Sequence, residues 1–284
     1  MKKNEVASKT ILTIYSWFLW FGSRGPLLLG GIVWLNHQKV EKCYKKWLGP
    51  QWRYDKVQSH EGAGVYVANH QGFADIFIQL SVHNPTPGFI AKDAVRKVFL
   101  IGRISDKILN SLFVKRADKN NKMDIFNALQ ERQRRAELGE VPPISLYPEG
   151  ATTNGTGLIN FKKGAFASLH PVKPFCIKYW SLRGQLNHGD ASHYHYWIFI
   201  AFNTILSTLT YSELPFFTPN EYFWQHHWDG KEEKWVAYAR VVRKIIAEHG
   251  GFELIDADME DKLEYKLQVR SRGKKSAAPK TKAE

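Results

Sequence analysis

His70 and Asp75 are the pair of residues in this 284-residue chain whose types and spacing could carry proton chemistry. An unperturbed imidazole titrates near pH ~6.5, so a neutral His accepts a proton readily at neutral pH. A carboxylate five residues on can bind one ring nitrogen while the other faces a cleft. A His ahead of an Asp is a weak signal on its own. The elements that must position the pair give it weight.

Val65 to Ala68 is a short apolar run of β-rich composition and reads as a buried strand. Asn69 to Gly72 is polar, contains Gly and reads as a turn. Phe73, Ile76, Phe77 and Leu80 then recur at the spacing of one helix face. His70 therefore falls at the carboxyl end of a strand, and Asp75 in the first turn of the next helix.

Further strands are predicted at Gly88 to Lys92, Leu112 to Arg116, Ile144 to Tyr147 and Lys173 to Tyr179. Helices are predicted over Val95 to Leu112, 121–138 and 161–169. The alternation predicts a single layered α/β domain, a mixed sheet flanked by helices. Its polar loops lie at strand ends, where open α/β sheets bind ligands. Pro148 to Gly155 is such a loop. Residues 196–209 are apolar but too short to span a bilayer, so they read as a core or interfacial helix. Glu213 to Phe217 reads as a last strand. Trp235, Tyr238, Val241, Val242, Ile245 and Ile246 form a helix face that closes near Gly250.

Lys and Arg number 40 against 27 Asp and Glu, a net charge of +13. That balance suits a polyanionic partner: nucleic acid, an anionic membrane face or a phosphorylated substrate. Ten Trp, many in apolar runs, favour the membrane interface over nucleic acid. A mean hydropathy of −0.37 excludes a polytopic membrane protein. Cys43 and Cys176 form no C-x-x-C pair, which argues against a disulfide framework or a zinc ribbon. His188, His193, His195, His226 and His227 have no Cys beside them and no H-x₃₋₅-H pair on an evident helix, so solvated loops are expected and no metal.

Residues 11–35 carry one charge, Arg24, followed by Gly25 and Pro26. The whole stretch is long enough to span a bilayer. It reads as a membrane-anchoring helical segment, one kinked span or a re-entrant hairpin, with a buried helix pair as the bland alternative. The chain thus divides into an anchor and basic-aromatic connector at 1–60, a catalytic domain at 61–255 and a disordered basic tail at 256–284.

Four blocks now line up. They are His70-x-x-x-x-Asp75, Phe113-Val114-Lys115-Arg116, Tyr147-Pro148-Glu149-Gly150-Ala151-Thr152-Thr153 and Lys173-Pro174-Phe175. Their order and spacing resemble the glycerolipid acyltransferase superfamily. The run from Tyr147 to Phe166 looks most like its lysophospholipid acyltransferase branch. The resemblance covers roughly residues 60–250. It implies transfer of an acyl group from acyl-CoA, a co-substrate rather than a cofactor, to a lysophospholipid hydroxyl.

In that reading His70 is the base and Asp75 its partner, and no Ser or Cys nucleophile is needed. There is no G-x-S-x-G elbow of a hydrolase. The resemblance implies that Arg116 binds the acceptor phosphate and that Gly150 permits a tight anion-facing turn. Glu149 orders that loop or binds acceptor hydroxyls, Thr152 lies on the loop, and Pro174 shapes the acyl pocket. The family often carries Thr-Arg-Ser after Glu-Gly, where this chain has Ala151-Thr152-Thr153. Lys162 or Lys163 is the expected replacement cation. Lysophosphatidic acid or glycerol 3-phosphate is the nearest alternative acceptor. A catalytically silent basic membrane-binding protein is the alternative of another class. Lys280 and Lys282 resemble a dilysine signal, which would place a cytosol-facing domain at the endoplasmic reticulum.

Overall fold

The computed structural model describes residues 9–55, 62–72, 74–97, 101–114, 121–182 and 206–276. α1 (Lys9–Leu29) leads into β1 (Ile32–Lys39), a single turn α2 (Lys45–Leu48) and β2 (Val65–Ala68). There follow α3 (Ala74–Val82), β3 (Gly88–Lys92), α4 (Asp93–Arg96), α5 (Ile101–Lys107) and β4 (Leu112–Val114). Next come α6 (Asn121–Glu137), β5 (Ile144–Leu146), β6 (Gly157–Leu158), β7 (Val172–Ser181) and β8 (Ser207–Glu213). The chain continues through α7 (Glu221–His227), α8 (Lys234–Gly250), β9 (Glu253–Leu254) and α9 (Met259–Ser276).

Seven strands form one mixed sheet in the order β1-β8-β7-β2-β5-β3-β4, and β6 pairs with β9 apart from it. β2 lies between β7 and β5, parallel to both. Its side chains alternate between two apolar layers, as strand geometry requires. Val65 and Val67 pack with Tyr238, Val242, Ile245 and Ile246 of α8 on one side. Ala68 packs with Leu27 of α1, Ile78 of α3 and Phe175, Leu209 and Tyr211 on the other. Each such fully buried aliphatic or Phe side chain contributes ~1.5–3 kcal/mol. α8 ends where expected. Gly251 takes φ +68°, and its N–H caps the Ala247 carbonyl.

Four expectations need correction. The 11–35 stretch is neither a kinked span nor a re-entrant hairpin. α1 runs unbroken past Pro26, and Gly31 at φ +76° turns the chain into β1. β1 pairs in parallel along β8 from Ile32 to Lys39, so the last four residues of the apolar stretch, 32–35, belong to an edge strand of the sheet. Leu27 is buried, and Ser16 Oγ accepts the Thr86 amide at 3.0 Å. Among the described residues no helix is long and apolar enough to cross a membrane.

Second, Ser207–Glu213 is a strand, β8, where a helix is predicted to end at 209 and a strand to begin at 213. Its alternate residues Leu209 and Tyr211 face the α1/α3 layer. Residues 196–205 lie outside the described residues. Third, 161–169 contains only the short helical turn Lys163–Ala165.

Fourth, the tail begins as a helix. Asp258 Oδ1 accepts the amides of Glu260 and Asp261 at 2.7 and 3.1 Å, and Asp261 Oδ2 accepts the Asp258 amide at 2.8 Å. This reciprocal cap starts α9, and its amides hold the Asp258 carboxyl below its ordinary pKa. Residues 277–284 lie outside the described residues.

The α1/α3 layer also buries charge. Lys173 Nζ meets Glu213 Oε2 at 2.6 Å, and His37 Nε2 meets Glu213 Oε1 at 2.5 Å. Beside them His83 Nε2 bonds the Tyr211 hydroxyl at 2.8 Å. Burial pulls the His83 pKa down to about 3, with the Glu213 carboxylate opposing and Lys173, His37 and Lys39 assisting.

The unfolded chain therefore takes up a proton near pH ~6.5 that the folded chain refuses. This stability is complete above pH ~6.5 and is lost as pH falls toward 3, by up to about 1.4 kcal/mol per unit. Denaturant midpoints taken from pH 7 to pH 4 should fall more gently for His83→Gln than for the parent.

Candidate active site

The chain leaves the sheet at His70 in a controlled way. β2 ends at Ala68, paired with Phe175. The Asn69 side chain then stands in for a peptide. Its Nδ2 donates to the Ile177 carbonyl at 2.9 Å, and its Oδ1 accepts the Ile177 amide at 2.8 Å. Gln71 Nε2 donates to the same carbonyl at 3.0 Å. His70 sits between these two anchors.

The loop after β5 grips the His70 backbone from both sides. Glu149 Oε1 accepts the His70 amide at 2.8 Å. The Thr153 amide donates to the His70 carbonyl at 2.8 Å, and Thr153 Oγ1 reaches the same oxygen at 3.3 Å. Glu149 is fully buried, and its other oxygen accepts the Ile159 amide at 3.4 Å. Burial pushes its pKa up to about 8, against the pull of those amides and of Lys262. Glu149 thus joins the loop after β5 to the His70 and Ile159 backbones. A turn at φ +72° carries Gly150, whose amide donates to the Tyr147 carbonyl at 2.9 Å.

His70 Nδ1 lies 2.7 Å from Asp75 Oδ2. That same oxygen accepts the amides of Gln71 at 2.7 Å and Gly72 at 3.0 Å. Asp75 Oδ1 accepts the Tyr179 hydroxyl. Asp75 is fully buried and is met by donors on every side. An oxygen already accepting two amides calls for a third donor, so the network assigns the proton to His70 Nδ1. Nε2 is left with its lone pair. The ring is 19% exposed and stacks on Tyr147 with centroids 4.1 Å apart. Burial and the Asp75 charge hold the Tyr179 hydroxyl well above its ordinary pKa, so it remains a donor.

The other predicted site residues are distributed unevenly. Gly150 and Lys162 lie together under α9: Lys162 Nζ is 3.3 Å from both Met259 Sδ and Glu260 Oε1. The Thr152 carbonyl accepts Lys262 Nζ. Pro174 pairs with Val67 and alternates with Lys173 and Phe175. Its neighbours Val172 and Cys176 face α8, so Pro174 points into the layer opposite Asp75 and Tyr179, away from the dyad. Arg116 lies outside the described residues. His226 and His227 bond the Tyr222 and Lys46 carbonyls, and His188, His193 and His195 lie outside the described residues.

Sequence reasoning missed Tyr179, Asn69 and Thr153. Tyr179 was within reach, because it shares the strand parity of Phe175 and Ile177.

Residues 50–178 match the family model described as acyltransferase. The lysophospholipid acyltransferase LPEAT1 of Arabidopsis thaliana is 32% identical over 255 residues, which is 86% of this chain and 61% of that protein. The lysophosphatidylcholine acyltransferase 1 of Danio rerio is 31% identical over 160 residues, 55% of this chain and 28% of that protein. The chain thus spans less than two thirds of the length of these relatives. Among solved structures, the 1-acyl-sn-glycerophosphate acyltransferase PlsC of Thermotoga maritima superposes with a TM-score of 0.48 at 16% identity. That superposition covers 84% of this chain and 88% of PlsC.

Proposed function

We propose that the chain, whose residues 50–178 match the acyltransferase family model, moves a fatty acyl group from acyl-CoA to a free hydroxyl of a lysophospholipid. The observation that carries the reading is the contact of His70 Nδ1 with Asp75 Oδ2 at 2.7 Å, from which the tautomer follows. Nδ1–H is held by the buried Asp75, and Nε2 is left as a base.

The acceptor hydroxyl attacks the thioester carbonyl while Nε2 takes its proton. A carbon–oxygen bond forms, the carbon–sulfur bond breaks, and the imidazolium returns the proton to the departing thiolate. Asp75 stabilises the imidazolium between those steps. Positioned base catalysis of this kind supplies ~10²–10⁴-fold, and holding two substrates together supplies more. Lysophospholipid acceptors are favoured over lysophosphatidic acid or glycerol 3-phosphate by the names of the two relatives.

The substrates reside in membranes, and the molecule offers a surface for one. Trp17, Phe18, Phe21, Leu28 and Leu29 of α1 are exposed, as are Val33 and Trp34 of β1. With the net charge of +13, this patch supports docking on an anionic, cytosol-facing bilayer such as that of the endoplasmic reticulum.

Thiol release from acyl-CoA by detergent-solubilised protein tests the reading, against lysolipids of several headgroups and glycerol 3-phosphate. Release should depend on a lysophospholipid. Release without acceptor would mark a thioesterase, and none from folded protein would favour the silent membrane-binding reading.

A further inference from the structure

Asp75 divides its donors unequally. Oδ2 takes three, from His70 Nδ1 and the Gln71 and Gly72 amides, all supplied by the turn itself. Oδ1 takes the Tyr179 hydroxyl, and among the described residues it has no other donor. Asp75 is fully buried, so open solvent does not stand ready to replace that hydroxyl.

The sheet holds Tyr179 over the turn. β2 stops at Ala68, opposite Phe175, while β7 runs on to Ser181. Ile177 and Tyr179 therefore overhang the catalytic turn, on the strand face that carries Phe175. Asn69 and Gln71 grip the Ile177 backbone from below. β8 backs the overhang from the other side, with Leu209 opposite Tyr179 and Ser207 opposite Ser181. The phenol thus reaches Asp75 from a paired strand rather than from a loop.

We propose that Tyr179 is a positioning residue for the acyl transfer, its hydroxyl keeping Asp75 an anion turned toward His70 and so keeping Nε2 free to act as a base; the proposal rests on the acyl-transfer reading. The dyad can take up one proton in two ways. It becomes an imidazolium facing a carboxylate, or a carboxylic acid donating to a neutral ring whose own proton has moved to Nε2. Both leave Nε2 protonated and unable to accept from the acceptor hydroxyl. A hydrogen bond to a carboxylate favours its charged form, so removing the donor on Oδ1 makes the dyad more basic and favours both silent forms. Tyr179 therefore sets the lower edge of the pH range in which the base is available.

Other titratable groups surround the dyad. Tyr147 and Glu149 approach from the loop after β5, and Tyr211 from β8. His83, His37, Glu213 and Lys173 lie beyond Tyr211. Arg24 of α1 lies over the Trp20 ring. Burial holds all three tyrosines well above their ordinary pKa, so they stay protonated. Glu149, raised to about 8, is the group that must be told apart from the dyad.

The test is the pH profile of acceptor-dependent kcat/KM for the full chain with acyl-CoA and a lysophospholipid, whose acid limb reports protonation of the base. Tyr179→Phe keeps the ring and removes the donor. Its acid limb should move up by about one pH unit, a loss of about tenfold in rate below the limb. Its lysophospholipid KM at alkaline pH should stay within about twofold of the parent. A ring-fluorinated tyrosine at position 179 is a stronger donor that keeps the parent contacts, and should move the limb down. Tyr211→Phe removes a buried hydroxyl one strand away, the one bonded to His83. It should lower the melting temperature and leave the limb in place.

An acid limb unmoved in folded Tyr179→Phe overturns the proposal and leaves Tyr179 a packing residue. So does an equal shift in Tyr211→Phe, which marks a general loosening of the layer. A shift that disappears when Glu149→Gln is added assigns the limb to Glu149 and overturns it too. If Tyr179→Phe does not fold, the fluorinated form decides, and a limb that stays or moves up sinks the proposal. If the parent releases no thiol with any acceptor, the acyl-transfer reading itself falls. If the parent turns over and the limb does not respond, only the role of Tyr179 falls.

Discussion

His70→Ala lowers acceptor-dependent acyl transfer by about 10²–10⁴-fold, the share a positioned base supplies, and leaves the melting temperature nearly unchanged. The second part follows from how His70 is held. Its backbone is gripped by Glu149 and Thr153, contacts an Ala keeps, and its ring is partly exposed. Asp75→Asn should be comparably inactive for a different reason. The carboxylate accepts from His70 Nδ1, the Gln71 and Gly72 amides and the Tyr179 hydroxyl. An amide has one oxygen and two N–H groups, so one side of the site loses its acceptor; even if the Tyr179 hydroxyl turns round to accept one N–H, the second N–H is buried without a partner.

Asp75→Asn should therefore lose stability as well, ~1–3 kcal/mol for each buried group left unpaired. Steady-state rates with matched denaturation curves separate the two variants. A His70→Ala protein retaining a tenth of the parent rate would remove His70 from the chemistry.

Glu149 carries the second large effect. Glu149→Ala leaves the His70 and Ile159 amides without their acceptor inside the protein, and costs ~2–5 kcal/mol. Activity should fall with it, since the His70 peptide is released on one side. Glu149→Gln keeps a carbonyl for the His70 amide and should retain most of the fold.

The two variants also differ from the parent in their response to pH. The Glu149 pKa is raised to about 8 by burial, so the folded protein holds a proton that the unfolded chain releases near pH ~4.5. The stability tied to that proton is complete below pH ~4.5 and is lost as pH rises toward 8. Glu149→Gln has no such proton and should gain on the parent between pH 5 and pH 8.5 in urea midpoints. The comparison must be variant against parent, because His83 acts in the opposite direction between pH ~4.5 and ~6.5.

Much of this centre is legible from sequence because it is local. The strand at Val65 to Ala68, the turn and the helix bearing Asp75 are adjacent, and period-2 and period-3.6 patterns place His70 and Asp75 together. The Pro148 to Gly155 turn is equally plain. What escapes is what depends on register between distant segments. Tyr179 meets Asp75 only because β7 lies beside β2. Lys262 meets Thr152 only because β9 pairs with β6.

The cap of α9 is readable as Asp258-x-x-Asp261, whereas the Lys-rich composition that argues for disorder begins only at Arg270, near the far end of that helix. Residues 11–35 misled for another reason. An apolar stretch satisfies the same length test whether it enters lipid or lies against a sheet, and only the β1–β8 pairing decides between them.

That pairing also dictates a timetable for synthesis. β1 is made early, yet its partner in the sheet among the described residues is β8, with Lys39 opposite Glu213. At ~5–20 residues per second, the ribosome takes on the order of ten to thirty seconds to supply that partner. Throughout this interval the nascent chain carries α1 and β1 with Leu27 and Ile32, both buried in the finished fold, uncovered and an open row of backbone donors and acceptors. A chaperone, or the bilayer surface itself, is well suited to shelter that end until β8 emerges and closes the sheet.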